Sequence, residues 1–257
     1  MIAHWDPKQY ARFSDARTRP ARDLIARLPS CLFQTIVDLG CGEGPVTRLL
    51  TERWPEARII GIDSSPQMLA VARVACPGVR FVEGDISTWS PDAPVDLLFS
   101  NAALQWVDDH TALMPRLFAQ LLPGGAFAVQ MPGNFDAPSH RALAQLAKSE
   151  QWRAQTGDLV RTNPVAAPAK YLDLLGPDVA SFNGWETTDY MLLDGKDPVL
   201  EWMKGTALRP YLSALPPSDA ARFMAELARL LADAYPARTD GKTIFPFRRI
   251  YFIATRK

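Results

Sequence analysis

The chain has 257 residues, 47% of them hydrophobic and 22% charged, with 28 Lys and Arg against 28 Asp and Glu. That length suits one large α/β domain or one domain with a substantial insertion, and the composition excludes a disordered chain. Net neutrality argues against a phosphate-backbone partner, so no nucleic acid is expected.

Cys31, Cys41 and Cys76 are an odd number without a CxxC pair, which suggests neither a disulfide framework nor a zinc site. No apolar run approaches the roughly 18 residues of a membrane span. The opening MIAHWDPKQYARFSD lacks the basic and apolar regions of a secretory signal, so a cytoplasmic protein is expected.

Residues 15–29 read as an amphipathic helix with Pro20 near its start and Leu24, Ile25 and Leu28 on one face. TIVDLGCG then reads as a buried strand and PVTRLLTERWP as a helix stopped at Pro55. ARIIGID (57–63) is a second strand, and SPQMLAVARVAC (65–76) a second helix with Ser65 as N-cap and Pro66 at its first position. VRFVEGD (79–85) and VDLLFSNA (95–102) follow as strands, HTALMPRLFAQLL as a helix ended by Pro123-Gly124-Gly125, and AFAVQMP as a fifth strand. Short apolar strands alternating with helices mean βαβ units and a parallel sheet.

After Met131 the alternation stops. DAPSHRALAQLAKSEQWR, AAPAKYLDLL and DPVLEWMKGTALRPYL read as helices, and DAARFMAELARLLADAY places Phe223, Leu227, Leu230 and Leu231 on one stripe. TTDYMLLDG (187–195) reads as a strand, and TIFPFRRIYFIATR as the last one. The organisation expected is an N-terminal helical arm (1–30) closing the active site, a core (31–132), a mostly helical cap (133–240) with a strand near 187–195, and a final core strand (241–257).

The stretch VDLGCGEG sets Gly40, Gly42 and Gly44 at the turn between the first strand and its helix, where a missing Cβ lets backbone touch a ligand. About 20 residues on, Asp63 ends the second strand, placed to accept hydrogen bonds from ribose hydroxyls. Asp85 ends the third. The ligand expected is an adenosine-type molecule at the carboxyl edge of the sheet. A dinucleotide fits poorly, because Gly44 follows Gly42 after two positions rather than three and Pro45 has no N–H for a pyrophosphate.

VDLGCGEG, GID with Asp63, GDI with Asp85, and LLPGG, in that order over about 35–130, resemble the class I S-adenosylmethionine-dependent methyltransferases. The resemblance implies a Rossmann-like fold: a mainly parallel seven-stranded sheet, helices on both faces and an inserted helical cap. It implies S-adenosyl-L-methionine as cofactor, with Gly40, Cys41, Gly42 and Gly44 around its methionine part and Asp63 on the ribose. Asp85 and Ile86 would flank the adenine, and Asp38, Ser64, Met68 and Asn101 would complete the site. A plainer reading of Asp85 is a helix N-cap or surface turn.

The end of the fourth strand, SNAALQW, lacks the Asn/Asp-Pro-Pro-aromatic clamp of amino-group methyltransferases. No Pro-Cys nucleophile and no acidic triplet for a metal is present. His4, His110 and His140 are scattered and read as surface or capping residues rather than bases. An acceptor already nucleophilic at neutral pH is therefore expected, and a carboxylate qualifies.

WDPKQYARFSDARTRPARDL, DLLFSNAALQWVDDH, MPGNFDAPSH, EWMKGTALRPYL and YPARTDGKTIFPFRRIYFIA, all outside the cofactor motifs, resemble the trans-aconitate 2-methyltransferase family almost end to end. That implies methyl transfer to one carboxylate of a small tricarboxylate, without an obligatory protein partner. Such an anion needs fixed cations. Arg17, Arg19, Lys204, Arg209 and Arg248 with Arg249 are candidates, each with a plain alternative as a solvated face; Trp106, His140 and Tyr171 are candidates to close the pocket. Attack by a carboxylate on a sulfonium annihilates charge. Arg side chains are therefore expected on the spectator carboxylates, and a weaker donor such as Asn101, Gln105 or a backbone N–H on the reacting one. Two other readings stand: a malonyl-carrier-protein methyltransferase, which would want a basic docking patch, and a non-catalytic methyltransferase-like scaffold, which the intact cofactor motifs disfavour.

Overall fold

The computed structural model describes residues 14–29, 32–161 and 164–257, with side chains from residue 18 onward. His4, Cys31, the side chain of Arg17 and the first part of the expected N-terminal arm lie outside the described residues.

Helix α1 (Ser14–Ala26) leads into β1 (Thr35–Leu39), α2 (Pro45–Arg53), β2 (Arg58–Asp63), α3 (Pro66–Ala75), β3 (Arg80–Glu83) and β4 (Val95–Asn101). The strands are apolar runs rich in Ile, Val, Leu and Phe, and β1, β2 and β4 are mostly buried, as a sheet covered on both faces requires. Pro45 and Pro66 sit in first turns where no N–H is needed, and Ser65 Oγ caps α3 by accepting from Met68 N–H at 3.3 Å.

After α4 (His110–Phe118) come β5 (Leu121–Pro132), α5 (Pro138–Ala147), α6 (Arg153–Thr156) and α7 (Pro168–Leu175). The chain closes with β6 (Val179–Leu193), α8 (Pro198–Lys204), α9 (Arg209–Ala214), α10 (Pro217–Ala234) and β7 (Thr243–Arg256).

Among the described residues the sheet has seven strands in the order β3-β2-β1-β4-β5-β7-β6. β3, β2, β1, β4 and β5 pair in parallel and β7 is antiparallel to β5. This is the Rossmann-like class expected. The strand order reverses between β1 and β4, so the carboxyl ends of these two strands form the crevice where such sheets bind ligands.

Two elements differ from expectation. Pro123-Gly124-Gly125 does not end a helix: α4 stops at Phe118, and the three residues lie inside β5 at a register shift opposite Val95 and Leu97. Gly124 takes φ 78°, a bulge conformation glycine supplies without strain. β6 starts at Val179 rather than near 187, because its exposed alternation hides the strand signal.

The chain forms two compact units, and they divide it differently from the expected segments. One comprises Asp15–Pro132, Pro164–Thr187 and Arg249–Lys257; the other includes Gly133–Asn163 and Thr188–Arg248. Helix α1 belongs to the first because Ala21, Leu24 and Leu28 pack with Leu97, Phe99, Ala126, Ala128, Tyr251 and Ile253 on one sheet face. Residues 164–187 belong there too: Tyr171 stacks on Phe252 (5.1 Å) and Trp185 on Tyr251 (4.9 Å). In the second unit Phe223, Leu227 and Leu231 of α10 are buried and Leu230 is half-buried. Trp152 meets Phe223 edge-on at 5.4 Å, and Trp202 meets Phe247 at 5.6 Å. No helix of the described residues is long and apolar enough to cross a membrane.

Candidate active site

The glycine loop joins β1 to α2 with Gly40, Gly42 and Gly44 at φ 76°, 55° and 87°, all in the left-handed region. At Gly40 a side chain would overlap Ala103 Cβ, so the loop and the segment after β4 touch there. At Gly42 nothing lies within 4 Å of the missing Cβ. The loop's N–H groups are spent internally: Gly40 and Cys41 donate to Ile62 O, Gly42 to Asp63 Oδ2 and Gly44 to Cys41 O. A pyrophosphate would find none of these donors, whereas a neutral or cationic ligand can lie on the open backbone of Gly42. The loop therefore suits an adenosine derivative without phosphates.

Asp63, half-buried at the end of β2, accepts from Gly42 N at 2.9 Å and from Ser65 N at 2.9 Å, one bond per carboxylate oxygen. Each oxygen keeps a lone pair for a ligand hydroxyl. Ser64 beside it is exposed and Met68 half-buried. Asp85 is exposed and accepts from Ser87 N at 2.8 Å; the Ser87 side chain, and then that backbone bond, hold its carboxyl below the usual range. Ile86 is buried, its Cδ1 3.6 Å from where a Gly40 Cβ would stand. Arg116 of α4 fixes this loop by donating to Ile86 O and Trp89 O. Sequence reasoning missed Arg116, whose mid-helix position gives no signal.

Asp38 is 1% exposed on β1 and accepts from Thr47 Oγ1 at 2.6 Å. Burial pushes its pKa up to about 7, opposed by the Thr47 bond and helped by the Asp63 charge. Cys41 is buried, and burial with the charges of Asp38 and Asp63 raises its thiol pKa, so it stays a protonated packing group.

Beyond β4, Ala102 takes a left-handed φ of 55° and donates its N–H to Gln130 O at 2.9 Å. Asn101 Oδ1 is buried and has no hydrogen-bond partner among the described residues. Gln105 is buried and donates one Nε2–H to Ala102 O at 2.6 Å, closing its own turn. Trp106 is 52% exposed.

His110 and His140 are half-buried. His110 Nδ1 lies 2.9 Å from Tyr171 Oη and Nε2 lies 2.9 Å from Leu104 O. A carbonyl only accepts, so Nε2 carries a proton. Tyr171 is fully buried, and its hydroxyl also accepts from Ala166 N at 3.1 Å. In the other unit, burial lowers the His140 pKa to about 4, and the ring packs on Phe135.

The cation candidates divide between the units. Arg19 is exposed on α1 of the first unit. Lys204, Arg209 and Arg248 belong to the second. Lys204 pairs with Glu201 beside a shallow hollow shared with Lys196 and Asp197, a balanced set of charges rather than an anion site. Arg209 begins α9 half-buried, and burial lowers its pKa. Arg248 donates its backbone N–H to Asn134 Oδ1 at 2.7 Å and Nη1 to Gly133 O. Arg249 is 5% exposed on β7, opposite Pro132 of β5.

Residues 36–125 match the methyltransferase domain family. Over 252 residues the chain is 45% identical to the trans-aconitate 2-methyltransferase of Azoarcus sp. (strain BH72), covering 98% of this chain and 99% of that one. It is 48% identical over 265 residues to the trans-aconitate 2-methyltransferase of Streptomyces avermitilis, covering 100% and 98%. Among solved structures it shares the fold of Haemonchus contortus phosphoethanolamine N-methyltransferase 2, crystallised with phosphomonomethylethanolamine and S-adenosylhomocysteine. That match has a TM-score of 0.55 at 16% identity and covers 93% of this chain but 52% of the other.

Proposed function

We propose, for a chain that belongs to the trans-aconitate 2-methyltransferase family, that it binds S-adenosylmethionine at the carboxyl ends of β1, β2 and β4 and methylates one carboxylate of trans-aconitate. The observation that carries this reading is identity of 45–48% along nearly the whole chain, well outside the cofactor motifs.

The glycine loop supports the cofactor: its internally bonded N–H groups and the open space over Gly42 suit the methionine end of a phosphate-free ligand. Asp63 would accept from the ribose hydroxyls and Asp85 from the adenine amino group, with Ile86 on a ring face. Asp38, Cys41, Ser64, Met68 and Asn101 would line the remainder. When bound, the cofactor supplies a sulfonium methyl: a carboxylate oxygen bonds to the methyl carbon while the carbon–sulfur electron pair returns to sulfur.

No proton moves, so the chain needs no general base; its work is alignment and exclusion of water. A carboxylate with an ordinary pKa near 4 is already ionised at neutral pH. Arg17, Arg19, Arg209 and Arg248 are the cations proposed for the spectator carboxylates, Arg209 first among them because burial already partly desolvates its guanidinium. Lys204 is the weaker candidate, since Glu201 already neutralises it. The partner proposed is the small acid alone, without nucleic acid or a carrier protein. The compartment proposed is the cytoplasm, which suits the free thiols of Cys41 and Cys76.

Two measurements test this. Titration with S-adenosylhomocysteine should give one site per chain, greatly weakened by Asp63→Ala; absence of binding in the unsubstituted protein would overturn the cofactor site. Arg209→Lys should raise KM for trans-aconitate with kcat nearly kept. Lost turnover at unchanged KM would place Arg209 on the reacting group instead.

A further inference from the structure

On the sheet face covered by α1, each strand alternates, so residues two apart share that face. Leu97 and Phe99 of β4, Ala126 and Ala128 of β5, and Tyr251 and Ile253 of β7 pack there in one apolar cluster. The next position on β4 is Asn101 and on β5 is Gln130, and these two are register partners; Gln130 is also paired with Tyr251. One residue pair further on, Pro132 faces Arg249. An apolar sheet face thus turns polar over its last rows, at the carboxyl ends of the parallel strands.

Gln130 is 0% exposed, and among the described residues neither its Nε2 nor its Oε1 has a hydrogen-bond partner. Asn101 Oδ1 beside it is likewise buried and unpartnered. A buried amide satisfied in neither half is rare in folded proteins and calls for a partner such as water, an ion or a ligand. The place fits one. Ala102, which follows Asn101, bonds to Gln130 O, and Ala103 fills the space above Gly40, so the amide pair adjoins the glycine loop.

We propose that Gln130 binds the acceptor acid directly, donating Nε2–H to the carboxylate oxygen that takes the methyl group. The inference rests on the carboxyl-methyltransferase reading above. An amide is suited to this position because it is neutral. It orients the attacking oxygen without the full charge of a guanidinium, which would blunt a reaction that annihilates charge. Buried Arg249, on the same face one row on, adds positive potential for the remaining carboxylates.

The test compares Gln130→Leu and Gln130→Glu with the unsubstituted protein in three readouts: thermal unfolding, S-adenosylhomocysteine affinity and esterification kinetics on trans-aconitate. Removing a buried amide without partners should leave the Gln130→Leu unfolding midpoint equal or higher, and S-adenosylhomocysteine affinity should change less than about twofold. The catalytic efficiency kcat/KM on trans-aconitate should fall about 10- to 100-fold, the loss of one hydrogen bond to a charged group. Gln130→Glu, of the same shape but anionic, should fall further. Wild-type kinetics in Gln130→Leu would overturn the proposal, as would a lowered midpoint together with lost cofactor affinity, which would make the amide structural. If the unsubstituted protein bound S-adenosylhomocysteine but esterified no acid, the underlying reading would fall first, and the role of Gln130 with it.

Discussion

Tyr171 Oη and His110 Nδ1 share a hydrogen bond at 2.9 Å, although the two residues are 61 positions apart. The bond ties α7 to the start of α4, and through His110 Nε2 it holds Leu104 O in the turn that carries Gln105 and Trp106. Tyr171→Phe keeps the stack on Phe252 but strands both His110 Nδ1 and Ala166 N–H. It should cost about 1–3 kcal/mol of stability in urea unfolding. An unchanged midpoint would show that the hydroxyl is dispensable to the packing.

Gly40 and Ala103 compete for one volume. Gly40→Ala adds left-handed strain of about 1–2 kcal/mol and overpacking of about 1–3 kcal/mol, so the loop must shift and S-adenosylhomocysteine binding should be largely lost. Adding Ala103→Gly removes the overlap but not the strain. The double variant should therefore recover part of the stability, and full additivity of the two losses would refute the contact.

Asp38 gives a pH signature with a defined sign. Its pKa rises from an ordinary 3.8 to about 7 on folding, chiefly through burial. The folded chain keeps this proton where the unfolded chain has released it, so the group's favourable contribution is complete below about pH 4 and is lost as pH rises toward about 7. Asp38→Asn should flatten the decline in unfolding free energy across that interval. An identical slope in both proteins would assign the decline to other groups.

Arg116 reaches Ile86 O and Trp89 O from α4 and so fixes the loop proposed to hold the adenine. Arg116→Met keeps much of the side-chain length and removes both bonds. S-adenosylhomocysteine affinity should drop about 5- to 20-fold, while KM for the acid stays near its original value. A change confined to the acid would detach this loop from the cofactor.

The βαβ rhythm, the first-turn prolines and the Ser65 cap were legible because each is a local rule acting over a few residues. Asp63 was legible for the same reason, as the acidic end of a strand following a glycine turn. Pro123-Gly124-Gly125 misled because the same residues that stop a helix also make a bulge, and pairing with β4 decides between them. The Tyr171–His110 bond could not be read from sequence, since it depends on how α7 meets α4. Gln130 left a sign that local reading passed over: an amide in the otherwise apolar run AFAVQMP. Arg248 and Arg249 are neighbours in sequence, yet strand alternation gives them opposite faces, and only the register assigns them.

The most direct measurement is methyl transfer from labelled S-adenosylmethionine to trans-aconitate, cis-aconitate, citrate, isocitrate and malonyl-carrier protein, scored as base-labile ester. A kcat/KM for trans-aconitate well above that for every other acceptor is the expected result. Transfer to malonyl-carrier protein alone, or cofactor binding with transfer to none of the acids, would contradict it.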